Sequence, residues 1–198
     1  MTETRRFTVK PLSRVEGEGA LRVRVQGDAI EIAEFNIYEP PRFFERLLVG
    51  REVHEVPDIT ARICGICPVA YQMSSCQALE KALGIEVTPE IRLLRRLLYC
   101  GEWIQSHALH VHLLHAPDFL GFESGLAMAA THPQLVENGL RLKALGNRLL
   151  EVVGGRAVHP INVTVGGFYK APAASAIRGL LPELAWGLDT CLSLLETV

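Results

Sequence analysis

The chain has 198 residues, of which 48% are hydrophobic and 21% are charged, and its formal net charge is -2. This composition is typical of a folded globular protein and excludes an intrinsically disordered chain. The small net charge, without a long basic run, argues against nucleic acid or an anionic membrane surface as the partner, and no apolar run approaches the roughly 20 residues that a transmembrane helix needs.

The first part of the chain has the pattern of an antiparallel sheet. Apolar and β-branched residues tend to alternate between Phe7 and Ile37, and Gly27-Asp28 provides a turn signal. We therefore predict two or three strands in a small β region, residues 1–40. The polar amino terminus, residues 1–10, lacks the apolar core of a secretory signal, which predicts a cytoplasmic protein.

Helical signals dominate residues 41–198, which we predict to form a helical body. A short helix should follow Pro41 and end by Gly50. Longer helices are expected where Pro or Thr-Pro opens an apolar stripe of helical period and Gly or Pro closes it. Their predicted limits are Pro68 to about Leu83, Thr88 to Pro117, about His132 to Gly154, and about Ala173 to Val198, where the last helix is still running. The predicted fold class is α+β, mainly α, with a small N-terminal antiparallel sheet followed by a body of long helices.

The last helix and the segment before Pro68 lead to two further expectations. No Gly, Pro or basic turn stops the helix before Val198, so we expect the helical body to be incomplete at its carboxyl end. Residues 57–67 have the composition of a loop, which places Cys64 and Cys67 at the N-terminus of the helix that begins at Pro68.

Cys64 and Cys67 are the strongest candidates for a functional site. The chain has five cysteines, and in a reducing compartment a close pair is more typical of a metal-binding or catalytic site than of a structural disulfide. The Cys-x-x-Cys spacing lets both sulfurs reach one atom, and Gly65 permits the tight turn that this requires. A helix N-terminus and the neighbouring Arg62 favour the thiolate form, which suits nickel, iron, copper(I) or zinc.

Other interpretations of this pair remain open from the residues alone. The thiols can be buried and inert, as we also expect for Cys76, Cys100 and Cys191 in their apolar helical surroundings. A thioredoxin-like redox pair would need a preceding strand in a βαβ unit, whereas residues 57–61 have loop composition. A closed zinc site would need further ligands, and Cys76 lies about two and a half helical turns beyond Cys67, too far to reach.

Several sequence blocks, taken together and in order, resemble one family over nearly the whole chain. The blocks are Arg14–Gly17 (RVEG), Pro41–Glu45 (PRFFE), Gly50-Arg51, Arg62–Cys67 (RICGIC), Ser106–His110 (SHALH), Gly154–Pro160 (GGRAVHP) and Val165–Gly167 (VGG). They resemble the N-terminal half of the large, catalytic subunit of nickel-iron hydrogenases. The combination is far more specific than any single block.

The resemblance assigns a role to five residues. By this resemblance Cys64 is a terminal nickel ligand, and Cys67 bridges nickel to an iron that carries carbon monoxide and cyanide. Glu16 takes the place of the family's proton-relay glutamate, and Glu45 that of a glutamate that binds magnesium or a similar ion in many members. Arg62 is expected to support the cysteine loop through hydrogen bonds to carbonyls. Without the resemblance, Glu16 and Glu45 would be interpreted as solvated surface carboxylates.

Other polar residues do not match a metal site in the family. His107, His110, His112 and His115 lie close together on one predicted helix, but the family does not use them as ligands, and packing or hydrogen bonding near a partner subunit is the better interpretation. Tyr71 stands where many members have His. It offers a phenol hydroxyl, which can donate a hydrogen bond, in place of the imidazole, and tyrosine at this position resembles a subgroup of cytoplasmic members.

The resemblance implies reversible H2 oxidation, with electrons passing to iron-sulfur clusters in a small subunit. Residues 40–45 and 68–72 are similar to cytoplasmic members that work with NAD(P)- and flavin-linked diaphorase subunits. The family takes its other thiolates from a carboxyl-terminal Cys-x-x-Cys, and nothing like it follows Val165, so the chain should carry half of the nickel-iron ligands and be inactive alone. The alternatives are a non-catalytic scaffold or interaction subunit that lost the metal site, and a thiol-disulfide oxidoreductase.

Overall fold

The computed structural model describes residues 4–196. Its amino-terminal unit, Met1–Phe43, contains an antiparallel sheet. Thr4 pairs with Gln26 and Gly19 pairs with Ile37. Gly27 stands in the turn after the second strand at φ 59°, where glycine meets no steric penalty. The strands, β1 (Thr4–Val9), β2 (Gly19–Gln26) and β3 (Ala29–Ile37), lie in the order β1-β2-β3. The predicted strands and turn are confirmed.

Helices make up most of the second unit, Phe44–Val198. They are α1 (Phe44–Leu48), α2 (Val56–Ala61), α3 (Pro68–Leu83), α4 (Pro89–Leu109), α5 (Ala116–Leu120), α6 (Gly125–Ala129), α7 (Pro133–Gly154), α8 (Ala174–Arg178) and α9 (Leu181–Leu195), with a π-helical segment at His110–His115 and a hairpin of β4 (Val163–Thr164) and β5 (Gly167–Phe168). The predicted fold class, a small antiparallel sheet and a mainly helical body, is confirmed. Across residues 4–196, no helix combines the length and the apolar character needed to cross a membrane.

Local end signals explain the limits of the three longest helices. Helix α3 has Pro68 at its start, where a missing N–H is tolerated, and ends at Gly84 in the left-handed conformation, φ 67°. Helix α4 is capped by Thr88, whose side chain accepts a hydrogen bond from the N–H of Ile91. Helix α7 ends at Gly155, φ 82°. The predicted limits of α3 and α7 and the predicted start of α4 are confirmed.

Residues 57–67 were predicted to form a loop, and this prediction was wrong for the first part of the segment. The helix α2 occupies Val56–Ala61. Pro57 and Asp58 in its first turn are ordinary helix-start residues. With six residues the helix is too short to show a periodic apolar stripe, which is why the sequence pattern missed it. Cys64 and Cys67 therefore lie in a short turn between two helices.

The helix predicted to end at Pro117 continues to Leu120. Its path includes the π-helical segment, and Pro117 falls in the first turn of α5, where proline is tolerated. The sequence pattern does not reveal the π-helical segment, because its six residues are too few to show a period different from that of the α-helical turns on either side.

The helix predicted from Ala173 onward is two helices, α8 and α9, separated at Gly179-Leu180. Pro182 explains the break, because it lacks an N–H and its ring clashes with the carbonyl four residues earlier. The predicted continuation to Val198 lies outside the described residues.

The core of the helical unit lies where α4 crosses α7. Glycines let the two backbones approach, since a Cβ at Gly146 would lie 2.5 Å from the backbone nitrogen of Gln105 and 2.7 Å from the carbonyl oxygen of Gly101. Buried apolar residues fill the space around this crossing: Val69, Met73, Cys76, Leu98, Leu149, Leu150, Val153, Val163 and Leu180. Because Val69 is in the first turn of α3, the start of that helix is anchored in this core.

A buried ion pair fastens the β4-β5 hairpin to α3 and α4. Arg95 donates to Glu80 from both terminal nitrogens of its guanidinium, one of them at 2.9 Å, and also to the carbonyl of Thr164 at 3.2 Å. The N–H of Gly166 donates to Glu80 at 2.7 Å. Burial alone would raise the pKa of Glu80, but the hydrogen bonds from Arg95 and Gly166 and the charge of Arg95 outweigh it, so this pKa lies below its usual value.

Candidate metal centre

The turn between α2 and α3 brings the sulfurs of Cys64 and Cys67 into direct contact, paired as a disulfide, with Cα atoms 5.5 Å apart. Cys67 is the N-cap residue of α3, and its backbone N–H donates to the Sγ of Cys64 at 3.2 Å. Both cysteines are half-buried. After reduction, two sulfurs held this close can bind one metal ion.

The other three residues that the resemblance singled out are exposed. Arg62 follows α2, and its backbone N–H donates to the carbonyl of Ile59; within residues 4–196 its guanidinium makes no hydrogen bond to a carbonyl. Glu45 lies in the first turn of α1. Glu16 lies in the amino-terminal unit, in the loop between β1 and β2. Their roles remain predictions.

Glu102, on α4, is a buried carboxylate at the start of α3 that the sequence pattern did not single out. Its side chain accepts hydrogen bonds from the backbone N–H groups of Val69 at 2.6 Å and Ala70 at 3.2 Å, and the residue is 3% exposed. Burial raises the pKa of Glu102 to about 7, although the two N–H donors act in the opposite direction. Glu102 therefore takes the helix N-terminal donors that we expected to stabilise a Cys67 thiolate.

Gln105 lies one helical turn after Glu102 on α4. It contacts residues 62–67 between α2 and α3, the cysteine turn. Its Nε2 donates to the carbonyl of Ile66, the residue before Cys67, at 2.9 Å. Its Oε1 accepts a hydrogen bond from Nζ of Lys143 on α7 at 2.8 Å. The cysteine turn is therefore connected through Gln105 to both helices of the crossing.

The GGRAVHP block forms a loop that holds the other side of the cysteine turn. Nδ1 of His159 lies 2.8 Å from the carbonyl oxygen of Ala61, the last residue of α2, and Gln72 on α3 donates to the carbonyl of Pro160 at 2.6 Å. Arg156 donates to the carbonyl of His159 at 2.7 Å. His159 has a φ of 50°, a conformation that costs a non-glycine residue energy and that these contacts maintain. The sequence block carried the resemblance, but only the structure shows which backbone groups it holds.

The histidines of the π-helical segment contact the backbone or each other. His112 is buried, its Nδ1 lies 2.9 Å from the carbonyl oxygen of Leu135, and burial lowers the pKa of its imidazole. The rings of His110 and His115 contact each other with centroids 5.6 Å apart. In the described part of the chain, no three or more His, Cys, Asp or Glu side chains are grouped as metal ligands.

The remaining cysteines differ in burial. Cys76 is fully buried, and burial raises the pKa of its thiol to about 11, as expected for an inert core thiol. Cys100 is partly buried, whereas Cys191 is exposed, so the prediction that Cys191 is buried was wrong. The reason is that α9 buries little of its surface, with only Gly187 fully buried among its described residues.

The donor set of the turn fits one half of a nickel-iron centre. Two thiolates are soft ligands that suit nickel and iron, and they leave coordination positions that other ligands have to fill. A thioredoxin-like site is disfavoured, because the element before the pair is the helix α2 and not a strand of a βαβ unit.

Comparison with known sequences places the turn inside a recognised family region. The family model for nickel-dependent hydrogenases matches residues 42–138, which include Cys64 and Cys67. Sulfhydrogenase 2 subunit alpha of Pyrococcus furiosus is 45% identical over 166 residues, covering 84% of this chain and 40% of that protein. Coenzyme F420 hydrogenase subunit alpha of Methanosarcina barkeri is 32% identical, covering 84% of this chain and 38% of that protein.

Comparison with solved structures agrees with the sequence matches. An NAD+-reducing nickel-iron hydrogenase in the H2-reduced state superposes with a TM-score of 0.79 and 31% identity, covering 100% of this chain and 46% of that chain. This chain thus spans less than half the length of the relatives it matches. These relatives favour neither a metal-free scaffold nor a thiol-disulfide oxidoreductase. The chain belongs to the nickel-dependent hydrogenase family.

Proposed function

We propose that this chain supplies the amino-terminal thiolate pair, Cys64 and Cys67, of the nickel-iron centre of a hydrogenase large subunit, and that the complete enzyme interconverts H2 with protons and electrons. The observation that carries this proposal is the contact between the two sulfurs at the start of α3, inside the region matched by the family model. When bound, the metals supply the heterolytic chemistry on H2.

The chain's own residues have distinct tasks in this proposal. Cys64 would hold nickel as a terminal ligand, and Cys67 would hold both nickel and an iron that carries carbon monoxide and cyanide. Glu16, an exposed carboxylate, takes up and releases the proton, and Glu45 in the first turn of α1 binds a magnesium ion. Arg62 supports the turn from its position directly after α2.

The proposed partner is a small subunit that carries iron-sulfur clusters and accepts the electrons. Support comes from the relatives, which are alpha subunits of hydrogenases. The likeness to an NAD+-reducing hydrogenase supports diaphorase subunits with NAD(P) and flavin as the next step. A cytoplasmic location is part of the same proposal.

The test is metal analysis and activity of the native complex, purified through a tag on this chain. We expect nickel and iron in stoichiometric amounts, H2-dependent reduction of a viologen dye, and infrared bands of metal-bound carbon monoxide and cyanide. Cys64→Ser and Cys67→Ser should each abolish the nickel and the activity, because each removes a ligand. Cys191→Ser is the matched control, since Cys191 is exposed and lies outside the cysteine turn. A complex that retains nickel in both ligand variants would refute the proposal.

Two further variants separate the roles of the carboxylates. Glu16→Gln should keep nickel and iron but slow the exchange of D2 with solvent protons, because an amide does not relay protons. Glu45→Gln should lower the magnesium content and leave the nickel in place.

The isolated 198-residue chain should bind less than one nickel per chain, since the described residues contain no complete ligand group. Stoichiometric nickel with H2 uptake by the isolated chain would contradict this expectation.

A further inference from the structure

A continuous series of hydrogen bonds connects α7 to the sulfur of Cys64. Nζ of Lys143 donates to Oε1 of Gln105 at 2.8 Å, and Nε2 of Gln105 donates to the carbonyl of Ile66 at 2.9 Å. The next N–H along the chain, that of Cys67, donates to the Sγ of Cys64 at 3.2 Å. Neither Gln105 nor Lys143 belongs to the sequence blocks that carry the family resemblance.

Lys143 decides which way the Gln105 amide points. An ammonium group can only donate, so the amide oxygen has to face Lys143 and the amide NH2 has to face the carbonyl of Ile66. A flipped amide would place NH2 against Nζ and oxygen against oxygen, which is unfavourable at both ends. The bond from Lys143 is charge-assisted and hence stronger than a neutral one. Gln105 is 6% exposed, so water does not easily replace these contacts.

The Ile66 carbonyl and the Cys67 N–H belong to the same peptide group. Because a peptide group is planar and trans, its C=O and N–H point in opposite directions. Holding the carbonyl toward Gln105 therefore directs the N–H toward Cys64, which is what the 3.2 Å contact shows. Polarisation along such a series strengthens each bond in it.

We propose that Gln105 and Lys143 are positioning residues for the Cys64 sulfur, acting through the Ile66–Cys67 peptide group. The close crossing at Gly101 and Gly146 makes this possible, because it places Lys143, one turn before Gly146, next to Gln105. The inference rests on the proposed function only in assigning this sulfur to a metal centre. The arrangement of the turn itself belongs to the folded chain.

The test is amide hydrogen exchange measured by NMR on the reduced, metal-free chain. Gln105→Glu keeps the side-chain shape and the contact with Lys143 but removes the donor to Ile66. We expect exchange of the Cys67 amide to become roughly fivefold to tenfold faster, the effect of losing one buried hydrogen bond. Lys143→Met should give a smaller increase in the exchange rate of the Cys67 amide. Lys143→Arg should exchange this amide as slowly as the wild type, because arginine also donates to Oε1 of Gln105. The exposed residues Gln77 and Lys81 on α3 offer matched controls, Gln77→Glu and Lys81→Met.

The amide of Val153, fully buried within α7, reports global stability. Faster exchange at Cys67 with unchanged exchange at Val153, restored by Lys143→Arg, supports the proposal. Unchanged exchange at Cys67 in Gln105→Glu, or equal acceleration at Cys67 and Val153 in every variant, overturns it. Because no metal is present, failure here leaves the nickel analysis of the complex untouched. Missing nickel in the complex would conversely leave the exchange result standing.

Discussion

Replacing Glu102 by Gln tests whether a buried carboxyl group beside the cysteine turn makes the stability of this protein pH-dependent. Burial raises the pKa of Glu102 from 4.5 to about 7 in the folded chain. Below pH 4.5 the group is protonated in both folded and unfolded chains and has no effect. Between pH 4.5 and about 7 the unfolded chain ionises first, so the free energy of unfolding falls as the pH rises. Above about pH 7 the carboxyl group is ionised in both states, and the free energy of unfolding falls no further on its account.

The size of this pH dependence of the free energy of unfolding follows from the pKa shift of Glu102. At about 1.4 kcal/mol per pKa unit, the carboxyl group should make the wild-type protein about 2 to 3 kcal/mol less stable at pH 8 than at pH 5. Glu102→Gln removes this dependence, because the amide does not titrate. It also leaves one of the N–H groups of Val69 and Ala70 without an oxygen acceptor, since the two carboxylate oxygens each accept one bond. That cost, about 1 kcal/mol, is the same at every pH.

The assay is urea denaturation of both proteins at pH 5 and pH 8. The quantity to compare is the difference in unfolding free energy between the two pH values, because other titrating groups cancel between wild type and variant. Glu137→Gln, a change at an exposed glutamate on α7, is the matched control and should behave as the wild type. If Glu102→Gln showed the same pH difference as the wild type within about 0.5 kcal/mol, the carboxyl group would not be desolvated and the reasoning would be wrong.

Two other substitutions test the packing that supports the turn. Arg95→Met should lower the free energy of unfolding by about 3 to 5 kcal/mol in urea denaturation, because it leaves the carboxylate of Glu80 buried without its partner; a loss below about 1 kcal/mol would contradict this. Gly146→Ala puts a Cβ 2.5 Å from the backbone of Gln105 and should cost about 2 kcal/mol or more by separating α4 from α7. Gly179→Ala, where the nearest atom would be 3.4 Å away, should change stability by less than about 1 kcal/mol, and equal melting temperatures for the two variants would refute the steric argument.

Much of the local structure could be predicted from the sequence because its signals lie within a few residues. Pro68 and Gly84 define the two ends of α3, and both act through their own backbone conformation. The alternating pattern before Ile37 depends only on the pleat of each strand. The Cys-x-x-Cys spacing likewise brings two sulfurs together by local geometry, and the resemblance then connected them with nickel and iron. The short helix α2 escaped prediction because six residues carry too little periodicity.

What surrounds the cysteine turn was decided by tertiary structure. Glu102, Gln105 and His159 are separated along the chain from the backbone groups they bind by 33, 39 and 98 residues, respectively. No local rule brings such residues together, because their meeting depends on how α4 and α7 cross and on where the loop after α7 returns to α2. The crossing in turn depends on Gly101 and Gly146, whose lack of a side chain matters only when the other helix is present. The sequence by itself thus determined the two candidate ligands, whereas only long-range packing decided which side chains hold them, since hydrogen-bond partners are chosen by proximity in space.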